Sequence, residues 1–188
     1  MKKQVIYVYG ASGSGTSTFG RYLAKRLDYF FMDIDDYFWH PTNPPYQIKR
    51  SPLDRVERLK KDIVEHNHVV LSGSLMDWGD ELIPLFTLAI RLETSTPIRL
   101  ERLKKRERER FGSRLDVGGD MYETHQKFLA WAALYDEGGL NIRSKAKFEH
   151  WEKQLRCHQL LLDGNSPLEV NFEIVRSFLL QKDQERAL

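Results

Sequence analysis

The stretch GASGSGTST, residues 10–18, decides how the rest of the chain is read. It follows the apolar run Val5-Ile6-Tyr7-Val8-Tyr9 and precedes a segment carrying Leu23, Ala24 and Leu27 at helical spacing. Glycines at 10, 13 and 15 let successive backbone N–H groups turn toward an anion, and a helix N-terminus behind them adds positive potential. The spacing is that of a phosphate-binding loop, G-x-x-x-x-G-K-[ST], whose positions here are Gly10, Ala11, Ser12, Gly13, Ser14, Gly15, Thr16, Ser17 and Thr18. Ser17 takes the hydroxyl position that ligates magnesium in such loops, whereas Thr16 stands where the lysine belongs. An ammonium about 4 Å from a phosphate oxygen contributes about 4 kcal/mol at an effective dielectric of about 20. A working site therefore needs a cation from elsewhere in the chain.

Outward from this loop, short apolar runs alternate with amphipathic stretches. The runs are Val5–Tyr9, Phe30–Ile34, Val69–Leu71, Leu85–Leu92 and Gln159–Leu162, and between them lie Ser17–Leu27, Leu53–Glu65 and Pro97–Arg110. Such alternation predicts an α/β fold with a parallel five-stranded sheet covered by helices on both faces. Ser51-Pro52 and Thr96-Pro97 each pair a capping hydroxyl with a proline suited to a first helical position. Two further helices, Met121–Tyr135 and Ile142–Leu155, interrupt the alternation as an insertion or cover. Ser166-Pro167 opens a last helix carrying Val170, Ile174, Phe178 and Leu179. With no internal repeat and no low-complexity linker, residues 1–188 read as one domain.

The segment RLERLKKRERERFGSR, residues 99–114, offers cations. On a helix Arg102, Arg106 and Arg110 share a face, with Arg99 beside them. The segment reads either as a solvated, salt-bridged helix or nucleic-acid patch, or as part of a closing lid over a triphosphate. The apolar stripe ends at Leu103 and glycines follow at 112, 118 and 119. These features favour an arginine-rich lid over about residues 108–120, with Arg106, Arg110 and Arg114 supplying the charge that Thr16 lacks.

Acids close the second run. In FFMDIDDYFW, residues 30–39, Asp33 and Asp35 fall on one strand face and Asp36 begins a loop. Ligands of parallel α/β sheets gather at the carboxyl ends of strands, so one carboxylate can order magnesium and its waters and another can accept a hydroxyl proton; otherwise the acids form a solvated turn or a helix cap. Tyr37, Phe38, Trp39 and His40 either line an acceptor pocket or anchor a long loop; Arg50, with Lys49, either meets an anionic acceptor or is surface charge. Gly73 and Ser74 end the third run and make room for a ligand, with Asp77 a weaker acid candidate. His66 and His68 show no convincing metal spacing. A net charge of +2 gives no global pull toward nucleic acid or membrane, and the lone Cys157 excludes an internal disulfide framework. The run after Met1-Lys2-Lys3-Gln4 is too brief for a signal-peptide core, so a cytoplasmic protein is expected.

With these motifs in place, the chain resembles the small P-loop kinases, the group that includes adenylate, cytidylate, shikimate and gluconate kinases. The resemblance rests on residues 10–18, Asp33-Ile34-Asp35, the arginine segment and LLLDGNSPLEV at residues 160–170. It implies a three-layer P-loop kinase fold, use of ATP and Mg2+, and packing of the adenine base against Asn165, Ser166 and Pro167. It further implies Ser17 and Asp33 at the metal and Asp35 at the acceptor hydroxyl, with an acceptor region over about residues 33–66 that includes Asp36, Tyr37, Arg50, Gly73 and Ser74. The activity implied is an ATP- and magnesium-dependent phosphotransferase, adenylate kinase-like in its cover helices, acting on a small molecule or a nucleotide. The alternative is a nucleotide-binding switch lacking phosphotransfer. Neither nucleic acid nor membrane is expected as a partner, and Ser72-Gly73-Ser74, where shikimate kinases have a glycine triplet, does not support shikimate.

Overall fold

Strand β1, Gln4–Gly10, is buried at every position. A strand apolar on both faces belongs inside a parallel sheet with helices above and below. β1 is the central strand of five, in the order β2-β3-β1-β4-β5, all parallel. The others are β2 (Phe30–Asp33), β3 (His68–Ser72), β4 (Leu88–Glu93) and β5 (His158–Asp163). This computed structural model describes residues 3–185, so the Met1-Lys2 start read above lies outside the described residues. Among the described residues no helix is long and apolar enough to cross a membrane.

The register aligns the strand ends into one rim. Asp33 pairs with Ser72, Ser72 with Val8, and Gly10 with Leu92. The chain leaves β1 toward β2 on one side and later fills β4 on the other, so the strand order reverses beside β1. A crevice at that point of a doubly wound sheet is where ligands bind.

Alternate residues of β1 feed two cores. Val5, Tyr7 and Tyr9 join Met32, Leu71, Leu59 and Ile63 beneath α3 (Pro52–Glu65), with Phe148 and Trp151 from α6 (Lys145–Glu152). Ile6 and Val8 join Phe19, Leu23 and Ile90 beneath α1 (Thr16–Leu27) and α7 (Leu168–Glu185). Ser51 caps α3, accepting from the Asp54 N–H at 3.2 Å, with Pro52 at the helix start.

Several expectations are corrected. The strand expected from Leu85 starts at Leu88, because Asp80–Leu85 forms a 3-10 turn containing Pro84. The helix expected over Ile142–Leu155 is α6 alone, and Met121–Tyr135 contracts to α5 (Tyr122–Ala133). In α4 (Thr96–Phe111) the flanking residue is Ser95, and the Thr96 hydroxyl contacts Asp136 and Arg99 instead of capping. On α7 the buried stripe is Asn171, Phe172 and Val175, while Val170 and Ile174 are exposed. The phase differs because Asn171 donates to the Asp163 carbonyl at 2.9 Å, turning a polar residue inward.

The arginine segment does not project from the core. α4 keeps burying residues past Leu103, at Glu107 and Phe111, and a 3-10 turn, Gly112–Leu115, continues it. Phe111, Leu115 and Met121 form a small apolar cluster of their own. In this structure the segment read as a lid packs in a corner against α5.

Candidate active site

The loop after β1 takes its shape before any ligand is considered. Gly13 has φ +85°, and a Cβ there would lie 2.6 Å from the Arg99 carbonyl oxygen, so only glycine fits. Gly15, also at positive φ, precedes α1, and no side chain caps the helix's first N–H groups. A helix start left without a side-chain cap suits an anion. Arg99, fully buried, braces the loop from behind: its guanidinium donates to the Ser12 carbonyl at 3.1 Å, to Thr94 at 3.1 Å and to Ala132 at 3.3 Å. Of the stripe's arginines, this one is structural.

Two cavities are lined by glycines of the loop. One, of about 380 Å³, is lined by Ala11, Ser12, Gly13, Thr16 and Ser17, by Asp33, Asp35, Gly73 and Ser74, and by Arg106 and Arg143. The other, of about 310 Å³, is lined by Ser14, Gly15 and Thr18 and by the turn Asn165-Ser166-Pro167, with Arg102 at its edge. Arg102 fixes that turn, donating to the Gly164 carbonyl at 3.0 Å and to Asn165 Oδ1 at 3.2 Å.

The acids sit differently from the strand-face expectation. β2 ends at Asp33, which caps the short helix α2 (Ile34–Phe38) by accepting from the Asp35 N–H at 3.2 Å. Asp35 and Asp36 therefore lie in a helical turn and diverge. Asp35 enters the cavity with Asp33, whereas Asp36 and Tyr37 line a separate cleft against α3, where the Tyr37 hydroxyl donates to Asp62 at 2.6 Å. Gly73 matters to this packing: at φ +131°, a Cβ would come within 2.9 Å of Ile34 Cβ and displace the α2 turn.

Burial raises the Asp33 carboxyl above its usual range, and the neighbouring Asp35 charge adds to this, while the Ser17 hydroxyl beside it favours the charged form. Asp35 is open to solvent within the concavity yet enclosed by protein, and that enclosure raises its pKa against the pull of Arg143 and Arg106. Two acids held above their ordinary values beside cations form a constellation suited to proton acceptance and metal binding.

The arginines separate. Arg106 reaches the cavity and pairs with Glu107 Oε1 through Nε at 3.0 Å and Nη2 at 2.8 Å. Arg110 stands at the margin, donating to the Tyr46 hydroxyl at 2.8 Å. Arg114 is not brought to the cavity, because Asp120 takes it in a two-bond exposed pair at 2.9 and 2.6 Å. Arg50 pairs with Asp54 at 3.5 Å and also stays outside, and Asp77 is engaged by Lys147 at 2.6 Å. His66 stacks on Phe30, and His68 Nδ1 accepts from the Gln4 N–H at 3.0 Å.

Arg143 is the residue that sequence reasoning missed. It lies just before α6, half-buried, and donates through Nη2 to the Gly10 carbonyl at 2.9 Å. Its Nε is buried without a partner, and burial pushes the guanidinium pKa down. This cation is anchored on the loop's first glycine and lines the same cavity as Thr16 and Asp35. No periodicity marks it in the sequence, since it reaches the loop across 133 positions. His125, Phe128 and Trp131 in the same wall were likewise unmarked.

Comparison with known proteins agrees with this architecture. A family model described as an AAA domain matches residues 6–117, more than half of the chain. The uncharacterized protein YqaC of Bacillus subtilis is 39% identical over 179 residues, covering 95% of this chain and 98% of YqaC. Among solved structures, a gluconokinase from Sinorhizobium meliloti superposes with a TM-score of 0.52 at 18% identity, covering 96% of this chain and 97% of its own. A shikimate kinase from Acinetobacter baumannii, in complex with shikimate, gives 0.55 at 16% identity, covering 96% and 94%. The sheet order, the glycine loop and the matching family model lead to one assignment: the chain belongs to the AAA-domain family and has the fold of the small P-loop kinases.

Proposed function

We propose that this protein is an ATP- and magnesium-dependent phosphotransferase that moves the γ-phosphate to a hydroxyl of a small-molecule or nucleotide acceptor in the cytoplasm. One observation carries the reading: Ser17, Asp33, Asp35, Arg106 and Arg143 converge on one cavity against the glycine loop, while the Asn165–Pro167 turn borders a second cavity across it. A nucleotide spanning the loop places its base by Asn165, Ser166 and Pro167 and its terminal phosphate by Thr16, Ser17 and the two arginines.

Ser17 and Asp33 present oxygen donors side by side, which suits Mg2+. Among the described residues no cluster of three or more acidic, histidine or cysteine side chains forms a metal cage, which fits an ion shared with substrate phosphates. When bound, the ion neutralises charge developing on the phosphate oxygens. Asp35 accepts the acceptor's hydroxyl proton as its oxygen bonds to the γ-phosphorus. The bond from that phosphorus to the β–γ bridging oxygen breaks, and its electron pair leaves with ADP. Arg143 and Arg106 stabilise the transferring group in place of the lysine.

The test is ATP consumption by purified protein with magnesium and pooled metabolites, nucleosides and nucleoside monophosphates. Tight ATP binding with no turnover on any acceptor rejects the proposal. Thr16 at the lysine position favours the second reading, a nucleotide-binding switch, which expects ligand-stabilised melting without turnover and indifference to Asp35→Asn.

A further inference from the structure

The part of the 380 Å³ cavity away from the loop has a wall chemistry of its own. Trp39, Pro45 and Tyr46 come from the segment after α2, Phe128 and Trp131 from α5, and Phe111 and Met121 from the packed corner after α4. The aromatic rings form two pairs on separate elements: Trp39 with Tyr46 at 5.8 Å between centroids, and Phe128 with Trp131 at 6.0 Å, nearly coplanar at 26°. Phe111 is buried, Trp39, Phe128 and Trp131 are partly buried, and Tyr46 is exposed at the cavity mouth.

Two polar side chains interrupt the apolar surface, each more than nine-tenths buried. Glu107 is 7% exposed, and its pair with Arg106 uses only Oε1. His125 is 9% exposed, and its Nδ1 has no hydrogen-bond partner. Buried groups left short of partners are uncommon in native proteins. Both lie in the cavity wall beside the rings.

We infer that the acceptor is of the nucleoside class, a flat unsaturated ring system bearing a hydroxylated arm. This rests on the phosphotransfer reading above. The ring enters the aromatic chamber, Glu107 and His125 meet the donors and acceptors on its edge, and the arm carries its hydroxyl to Asp35. A linear polyol or saturated hydroxy acid would strand its hydroxyls against Trp39, Tyr46, Phe128 and Trp131, a poor exchange for water. Aromatic faces reward a flat ring with stacking, and an acid beside an imidazole rewards a ring edge carrying N–H and lone-pair groups.

The experiment uses the full chain with MgATP and three acceptor sets: purine and pyrimidine nucleosides, linear polyol acids, and saturated cyclic polyols. Turnover is read as ADP release and binding as quenching of tryptophan fluorescence. Turnover confined to nucleosides is expected. Phe128→Leu, which keeps an apolar side chain and removes the ring, raises the nucleoside KM about tenfold and leaves the Kd for MgATP unchanged. Glu107→Gln changes the preference among bases more than it changes kcat. Turnover of a polyol or saturated ring with none for nucleosides overturns the inference and leaves phosphotransfer standing. Quenching by nucleosides without turnover of any acceptor sinks phosphotransfer and leaves the ring site. Neither quenching nor turnover with nucleosides overturns the inference, as does an unchanged KM in Phe128→Leu.

Discussion

Replacing Arg143 by methionine keeps much of the side chain's length and removes its charge. The guanidinium is anchored 2.9 Å from the Gly10 carbonyl and lines the cavity with Thr16, Ser17 and Asp35. A unit charge about 4 Å from a phosphate oxygen contributes about 4 kcal/mol at an effective dielectric of about 20. Loop amides and Arg106 share that work, so the expected loss of kcat is about 100- to 1000-fold, the range seen when one preorganised electrostatic group is removed. Stability should move little. The variant forfeits one hydrogen bond but also a cation whose pKa burial depresses, so the melting temperature should stay within about 3 °C of the parent. Arg143 also lowers the Asp35 pKa against burial, so its loss should move the acid limb of the kcat/KM profile to higher pH. Steady-state ADP release across pH, with thermal melts alongside, measures all three. A kcat within about threefold of the parent and an unmoved acid limb would refute the assignment, since about 0.7 kcal/mol is too little for a replacement of the lysine.

Thr16→Lys should change kcat/KM by no more than about threefold if Arg143 and Arg106 supply the phosphate charge as proposed; a hundredfold gain in the same assay would mean the site lacks its cation. Asp33→Asn and Asp35→Asn should each raise the melting temperature of the nucleotide-free protein at neutral pH. Burial raises both carboxyls, so the folded state binds their protons more tightly than the unfolded chain, and stability falls as pH rises through the folded values. The gain should vanish in melts below the ordinary aspartate range, and a lower melting temperature for Asp35→Asn at neutral pH would contradict the account. Gly13→Ala forces a side chain to φ +85° and sets its Cβ 2.6 Å from the Arg99 carbonyl. Thermal melts should show a destabilisation of at least about 1–2 kcal/mol from the strain alone, and calorimetry a weaker affinity for MgATP because the displaced loop no longer gathers its amides.

What the sequence made legible was local. All five strands were placed from short apolar runs, and α1 and α3 from periodicity and caps, because those signals act between neighbours. The loop and Asp33 were legible for the same reason: their spacing is their geometry. The divergence of Asp35 from Asp36 was not, because a strand and a helical turn both suit Ile34-Asp35-Asp36 and the choice is made by packing on Gly73. The arginine stripe looked uniform along the chain, yet its members have separate fates set by distant partners: Asn165 for Arg102, Tyr46 for Arg110 and Asp120 for Arg114. Arg143 had no local signal at all. Its role arises only when the fold brings α6 against β1.

The buckle that Arg99 makes behind the loop has an evolutionary consequence. Held to Ser12, Thr94 and Ala132 from the interior, the backbone keeps its curvature whatever residue stands at position 16. Loop shape is thereby held by interior hydrogen bonds separate from any charge at position 16, so a cation placed elsewhere in the polypeptide, as proposed for Arg143, leaves the cradle standing. Searches keyed to the lysine would pass over such lineages, whereas one keyed to an interior arginine opening the fourth helix would gather them.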